Sequence, residues 1–373
     1  MEKFTAVDLF AGAGGLGEGF RQAGFQIVGA VEQHPYAAAT YSCNHPSTAV
    51  VCLPIQEVEP VEFRRSIGMS NGELDALIGG PPCQGFSESN RRTRCMGNPR
   101  NHLYLEFVRF VEAFRPRWVV IENVAGLLTL SRGAILTAIC SALGSAGYRT
   151  GWVLVDAAEH GVPQHRRRLF IVGRREDASA FDLTLTPESG PPVRVIDAIS
   201  DLPELENGSS VDLLPYRLLE NCQLTPFQQA MRAPNPLRCR VSGNLVTKNA
   251  PHVIERYGYI PQGGNWAFIP QELMTNYSDS SRCHTGIYHR LEWMKPSKVI
   301  GNFRKNMLIH PDQQRGLSVR EAARLQTFPD AYVFRGSIGH QQQQVADAVP
   351  PLLARAVATR VSSQLVGRNA GSL

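Results

Sequence analysis

Three features of the chain predict an α/β fold, a mostly parallel doubly wound sheet joined to a smaller irregular domain. Strand-like and helix-like segments alternate from residue 5 to 173, an order that puts helices on both faces of a parallel sheet. A glycine-rich turn, Gly12-Ala13-Gly14-Gly15, joins the first strand to the first helix. From 176 to 300 the periodicity gives way to Pro, Gly, Asn and Ser, a stretch too long for a single loop. The expected division is 1–175 plus 338–373, carrying the sheet, and 176–337, the irregular domain.

The elements follow in order. Residues 5–10 are an apolar strand, 16–23 a short helix and 25–31 a second strand. Pro35, before a run of alanines, marks the first turn of the next helix. Residues 74–78 form a buried strand. Leu103, Phe107, Phe110, Val111 and Phe114 recur at helical spacing and are assigned to the core. Strands at 118–121, 153–155 and 169–172 surround a helix at 134–143. Ser318 with Glu321 is a capping box for a helix at 318–327, and a last helix spans 351–365.

Bulk properties exclude several classes. At 373 residues, 43% hydrophobic and 19% charged, the composition is that of an ordinary globular chain. No apolar run is long enough to cross a bilayer. Met1-Glu2-Lys3-Phe4 leads straight into a strand without a signal-like segment, so a cytoplasmic location is expected. The eight cysteines are scattered with no C-x-x-C pair, which argues against a disulfide framework and a zinc site. Cys283-His284 has no partner pair at finger spacing. Net charge is +5. Arginines cluster at 91, 92, 94 and 100 and again at 166, 167, 168, 174 and 175. Each cluster alone reads equally as a solvated face; together, flanking a reactive turn, they read as phosphate contacts.

That turn is Gly79-Gly80-Pro81-Pro82-Cys83-Gln84-Gly85-Phe86-Ser87. It places one thiol on a stiff segment at a strand end, the edge where open α/β sheets bind ligands. Gly12, Gly14 and Gly17 satisfy G-x-G-x-x-G, and Glu32 ends the next strand, where a carboxylate can accept from ribose hydroxyls. Alone, this loop is compatible with a nicotinamide-dependent oxidoreductase or with a turn that binds nothing.

Taken together the motifs resemble the cytosine-C5 DNA methyltransferases, of the bacterial restriction-modification type, over nearly the whole chain. The elements stand in that family's order: residues 8–20, Glu32, residues 79–87, Ile121-Glu122-Asn123-Val124, Gln164-His165-Arg166-Arg167-Arg168, residues 320–329 and Ala348-Val349-Pro350-Pro351. The resemblance implies a Rossmann-like methyltransferase fold, S-adenosylmethionine as methyl donor, duplex DNA as substrate and no metal. It implies Cys83, Glu122, Arg166 and Arg168 as catalytic residues. For the donor it implies Phe10, Gly12, Gly14, Gly15, Leu16, Glu32, Ile55 and Pro81. For DNA it implies Gln84, Ser87, Arg91, Arg92, Arg100 and Gln164, with target recognition in the irregular domain. A monomer acting beside a cognate restriction endonuclease is the family's common arrangement.

The chemistry matches these residue types. C5 of cytosine is a poor nucleophile until a thiolate adds at C6 and breaks the aromatic conjugation, and cysteine is the fitting nucleophile. A carboxylic acid held neutral by burial can protonate N3, which makes Glu122 the candidate. Arg166 and Arg168 would share a face of one strand, near O2 of the base, with Arg167 pointing away. The base must leave the stack to react, and the basic loop at 86–101 is expected to close over it. Phe10 reads equally as an adenine contact and as core.

The chain departs from the family pattern at Leu53-Pro54-Ile55, where many members have Gly-Asp-Ile. It departs again at Ala346-Asp347 for Gly-Asn and at Asn98-Pro99-Arg100 for Asp-Pro-Arg. Asp347 would bring a carboxylate toward the donor pocket and is what supports the alternative, a non-catalytic DNA-binding protein. An RNA methyltransferase is disfavoured by the large variable region and the missing Cys-Phe-Thr. Aromatics in 258–266 and 288–293 are candidates for base reading, or equally for core packing.

Overall fold

Short β-branched and aliphatic runs build a seven-stranded sheet of order β3-β2-β1-β4-β5-β7-β6. These strands are β1 (Thr5–Leu9), β2 (Gln26–Val31), β3 (Ala49–Val51), β4 (Ala76–Gly79), β5 (Trp118–Val124), β6 (Tyr148–Asp156) and β7 (Arg167–Arg175). The computed structural model describes residues 3–82, 103–175, 181–217, 223–233, 235–274, 286–305 and 307–366. It divides into two units. One comprises Met1–His160, Arg167–Glu188 and Val349–Leu373; the other comprises Gly161–Arg166 and Ser189–Ala348.

In the first unit β1 to β5 run parallel, and β7 runs antiparallel to both β5 and β6. Side chains alternate between faces. Val7, Leu9, Leu77, Val119 and Ile121 join one cluster with Phe63 of α3 (Pro60–Ser66), Phe107 and Phe110 of α4 (Leu103–Phe114) and Ile139 of α5 (Ala134–Ser145). On the other face Asp8 meets α1 (Gly15–Gln22) and α2 (Pro35–Asn44): Tyr41 Oη donates to Asp8 Oδ2 at 3.1 Å. A Cβ at Gly17 would lie 2.8 Å from the same oxygen. Burial holds the Asp8 carboxyl well above the usual range, against the Tyr41 and Gly17 hydrogen bonds. Helix α1 packs against α11 (Pro351–Val366), and a Cβ at Gly19 would lie 2.3 Å from Ala354 Cβ and 2.5 Å from Pro351 O.

The second unit holds short elements: α6 (Val195–Ile199), β8 (Leu214–Pro215), α7 (Pro226–Arg232), β9 (Arg240–Val241), α8 (Pro251–Gly258), α9 (Val319–Leu325) and α10 (Ile338–Asp347). Buried arginines organise it where hydrophobic packing is thin. Arg324 pairs with Asp201 at 3.1 Å and with Asp330. Arg315 pairs with Glu321 at 2.7 Å, and Arg320 donates to the carbonyls of Ser242, Pro329 and Tyr332. Arg290 donates to Tyr257 O at 2.8 Å and Ile260 O at 2.6 Å, which satisfies carbonyls in the last turn of α8 and just beyond it. Tyr257 and Tyr288 are core residues of a small cluster with Val253 and Ile309, so Tyr288 is not a base reader. Tyr259 and Phe268 are exposed.

The structure differs from the sequence expectation in places. Strands β6 and β7 are nine residues each, longer than their apolar centres, because they pair along their whole length with arginines near the ends. The segment 161–166 and helix α10 group with the second unit rather than with the sheet. Gln326 Nε2 donates to Val345 O at 2.8 Å, and Gln164 bridges to Ser297. No helix among the described residues is long and apolar enough to cross a membrane.

Two stability predictions follow from this packing. Gly19→Ala forces α1 and α11 apart and should cost about 1–3 kcal/mol in urea unfolding; an unchanged midpoint would disprove the close approach. Burial pushes His45, His289 and His310 from 6.5 down to about 4. Between these values the unfolded chain binds the extra protons. Stability is therefore complete above pH 6.5 and should fall as pH is lowered toward 4. A thermal midpoint flat across that window would contradict these three burials.

Candidate active site

The site grows from the carboxyl edge of the sheet. Leu9 pairs with Gly79, and Gly79 with Ile121, so β1, β4 and β5 come side by side at that edge. A Cβ at Gly79 would fall 2.3 Å from Leu9 O, and one at Gly80 would fall 3.1 Å from Glu122 Oε2. Gly79 is therefore required by close approach to backbone, whereas a side chain at Gly80 would press on the Glu122 carboxylate by a few tenths of an ångström. Pro81 is buried, and its carbonyl accepts from Asn123 Nδ2 at 3.1 Å. Asn123 Oδ1 accepts from Val124 N at 2.9 Å, which fixes the amide orientation. Thus β5 braces the start of the Pro-Pro-Cys turn. Cys83, Gln84, Ser87, Arg91, Arg92 and Arg100, with the loop at 86–101, lie outside the described residues.

Glu122 and Arg168 are brought together. Across β5 and β7 Glu122 faces Phe170 and Val124 faces Arg168, so Glu122 and Arg168 are diagonal neighbours on one face. Arg168 Nε lies 2.8 Å from Glu122 Oε1, with the two side chains 13% and 14% exposed. Glu122 therefore has a guanidinium partner and is not an isolated acid buried among apolar groups.

Arg166 is placed elsewhere, which corrects the expected shared face. Strand β7 begins at Arg167, so the alternation does not reach back to 166. Arg166 is 1% exposed and donates to Ile300 O, Ala346 O and Ala348 O at 3.0–3.2 Å. Gln164 is likewise no surface group for DNA. It is fully buried, donates to Leu325 O and Gln326 Oε1, and accepts from Ile300 N at 2.8 Å. Arg167 is exposed.

The glycine loop occupies the neighbouring part of the edge. Phe10 has φ 55°, Gly12 φ 56° and Gly14 φ 90°. For Phe10 this left-handed geometry costs about 1–2 kcal/mol, a strain of the kind that gathers at functional sites. Gly14 caps α1, whose first residues, Gly15 and Leu16, are buried. Glu32 Oε2 accepts from Gly12 N at 2.8 Å, and Oε1 from His34 N at 2.7 Å. Glu32 N donates to Val51 O at 3.1 Å. Ile55, 4% exposed, opens a single helical turn after β3 and joins the core, with Pro54 before it. Asp347 ends α10, and both its oxygens accept from Gln343 Nε2 at 2.8 Å. Among the described residues no three His, Cys, Asp or Glu side chains are grouped to hold a metal. Sequence reasoning passed over Asn123 and Gly80 as working parts, although both stand inside the motifs that revealed Glu122 and Cys83.

Comparison with known proteins shows the family. Residues 4–363 match the family described as C-5 cytosine-specific DNA methylase. The type II methyltransferase M.DdeI of Desulfomicrobium norvegicum is 33% identical, over 95% of this chain and 88% of the relative. M.AgeI of Thalassovita gelatinovora is 34% identical, over 95% and 98%. A solved structure described as a DNA modification methyltransferase encoded within a prophage of E. coli superposes with TM-score 0.78 at 25% identity, covering 97% of this chain and 99% of that one. The chain belongs to the C-5 cytosine-specific DNA methylase family.

Proposed function

We propose that the protein methylates C5 of a cytosine in a specific duplex DNA sequence, with S-adenosylmethionine as donor, through a transient bond between Cys83 Sγ and C6. The observation that carries this reading is the Arg168–Glu122 pair at 2.8 Å beside the Gly80-Pro81 turn that leads into Cys83. Glu122 enters this step protonated and gives its proton to N3 as the Cys83 thiolate adds to C6, so the ring gains electron density at C5. Arg168 holds the Glu122 carboxylate in place and stabilises negative charge that develops on the base. When bound, S-adenosylmethionine supplies the electrophilic methyl group that C5 receives. Loss of the C5 proton to a base and departure of the thiolate restore the aromatic ring.

The chain suits such a donor. A Cβ at Gly12 would meet nothing within 4 Å, so open space fronts the loop. Each Glu32 oxygen accepts one backbone N–H and retains a lone pair for a ribose hydroxyl. The target base is flipped out of the helix, since its C6 lies inside the stack. The second unit, with exposed Tyr259 and Phe268, is the region assigned to target recognition, and Arg91, Arg92 and Arg100 to phosphates. The protein acts as a single chain and protects DNA against a restriction endonuclease of the same specificity.

The test is transfer of labelled methyl from S-adenosylmethionine to unmethylated DNA, followed by bisulfite sequencing. Protected cytosines in one short recurring sequence are expected. Glu122→Gln should lose about a hundredfold or more in rate and keep its DNA affinity. Full-speed methylation by that variant would remove Glu122 from the mechanism, and absence of transfer by intact wild-type protein would overturn the proposal.

A further inference from the structure

Arg109 of α4 takes no part in the chemistry above, but its guanidinium is directed at one turn of chain. Nη2 donates to Ile55 O at 2.9 Å and to Val58 O at 3.0 Å. The group is itself held in place: Glu106 Oε2, on the same helix, accepts from Nε at 2.9 Å, and Glu59 Oε2 stands 3.7 Å from Nη1. The turn has little of its own to keep its shape. It is a single turn, Ile55–Glu57, closed by Glu57 N to Pro54 O at 2.9 Å and a longer Val58 N to Ile55 O contact at 3.3 Å. Pro54 contributes no N–H. The turn follows β3, whose last residue, Val51, accepts from Glu32 N. The clamped turn thus follows by a few residues the strand end that bonds to the Glu32 backbone.

We propose that Arg109 is a positioning residue for the methyl donor, holding the 54–58 turn so that Ile55 packs on the adenine. This rests on the functional reading above, and in particular on the donor contact that the family resemblance implies for Ile55. The chain has Pro54 where many members of the family have an aspartate, so position 54 offers the donor no carboxylate. Donor affinity then depends on where the turn places Ile55. Two charge-assisted hydrogen bonds from one planar guanidinium to two carbonyls fix both ends of the turn.

The test compares Arg109→Met, which keeps an apolar stem and removes every donor, with Arg109→Lys, which keeps the charge but not the fork. The readouts are calorimetric affinity for S-adenosylhomocysteine and kcat at saturating donor. Arg109→Met should weaken binding about tenfold, the equivalent of one charge-assisted hydrogen bond, with Arg109→Lys intermediate and kcat changed far less. A purely structural role would lower the melting temperature and leave the affinity of the folded protein unchanged; that result, in either variant, overturns the inference. Ile55→Ala is the companion. If it weakens binding and neither Arg109 variant does, the positioning role falls and the site reading stands. If Ile55→Ala leaves binding unchanged, the adenine contact falls and the inference with it.

Discussion

One reversed strand makes this site. Strands β1, β4 and β5 are parallel, so their carboxyl ends share an edge. Strand β7 runs the other way between β5 and β6, and therefore begins where they end. Its second residue, Arg168, meets Glu122 near the end of β5. A parallel β7 would carry that arginine to the far edge, roughly six residues or about 20 Å away at strand rise. The ion pair is a consequence of topology before it is a feature of chemistry. It is also well sheltered, since both side chains are nearly buried, and an arginine whose guanidinium is already oriented needs little rearrangement to serve a reacting group.

The same edge explains the backbone around it. Gly79 leaves no space for a side chain because Leu9 O fills it, and Gly80 lies tight against the Glu122 carboxylate. Asn123 ties the Pro81 carbonyl to β5, so the turn leading to Cys83 takes its position from the strand that carries Glu122. On the other side of β1, the strained Phe10 and left-handed Gly12 direct an N–H at Glu32. The glycine loop and the Gly79-Gly80 turn are thus built from the ends of adjacent strands, and the parallel ladder between β1 and β4 sets their spacing.

Much of this was legible in the chain. Glycine loops, an apolar strand before Pro-Pro-Cys and Glu-Asn-Val at a strand end are local patterns, and the elements carrying them formed as expected. What could not be read was long-range. The direction of β7 depends on pairing with β5 and β6, which no period-2 pattern records. Arg166 and Arg168 look equivalent by alternation, but the strand starts between them; one is bonded to carbonyls of residues 300, 346 and 348, and the other to Glu122. Gln164 looked polar enough for DNA and is buried by partners more than a hundred residues away. In the second unit, helices such as α7 carry a legible capping box at Thr225 and Gln228. Their shortness and the reliance on buried arginines left no hydrophobic periodicity to find.

The central claim is that this edge delivers Cys83 to C6 of a cytosine. It is tested most directly with duplex DNA bearing 5-fluorocytosine at the methylated position. Fluorine at C5 cannot leave as a proton does, so once Cys83 has added to C6 and C5 has accepted the methyl group the protein stays attached to the base. The account predicts a covalent protein–DNA complex, formed only with S-adenosylmethionine present and mapped by mass spectrometry to the peptide carrying Cys83. Methylation of ordinary cytosine with no trapped complex, or attachment through another residue, would contradict it.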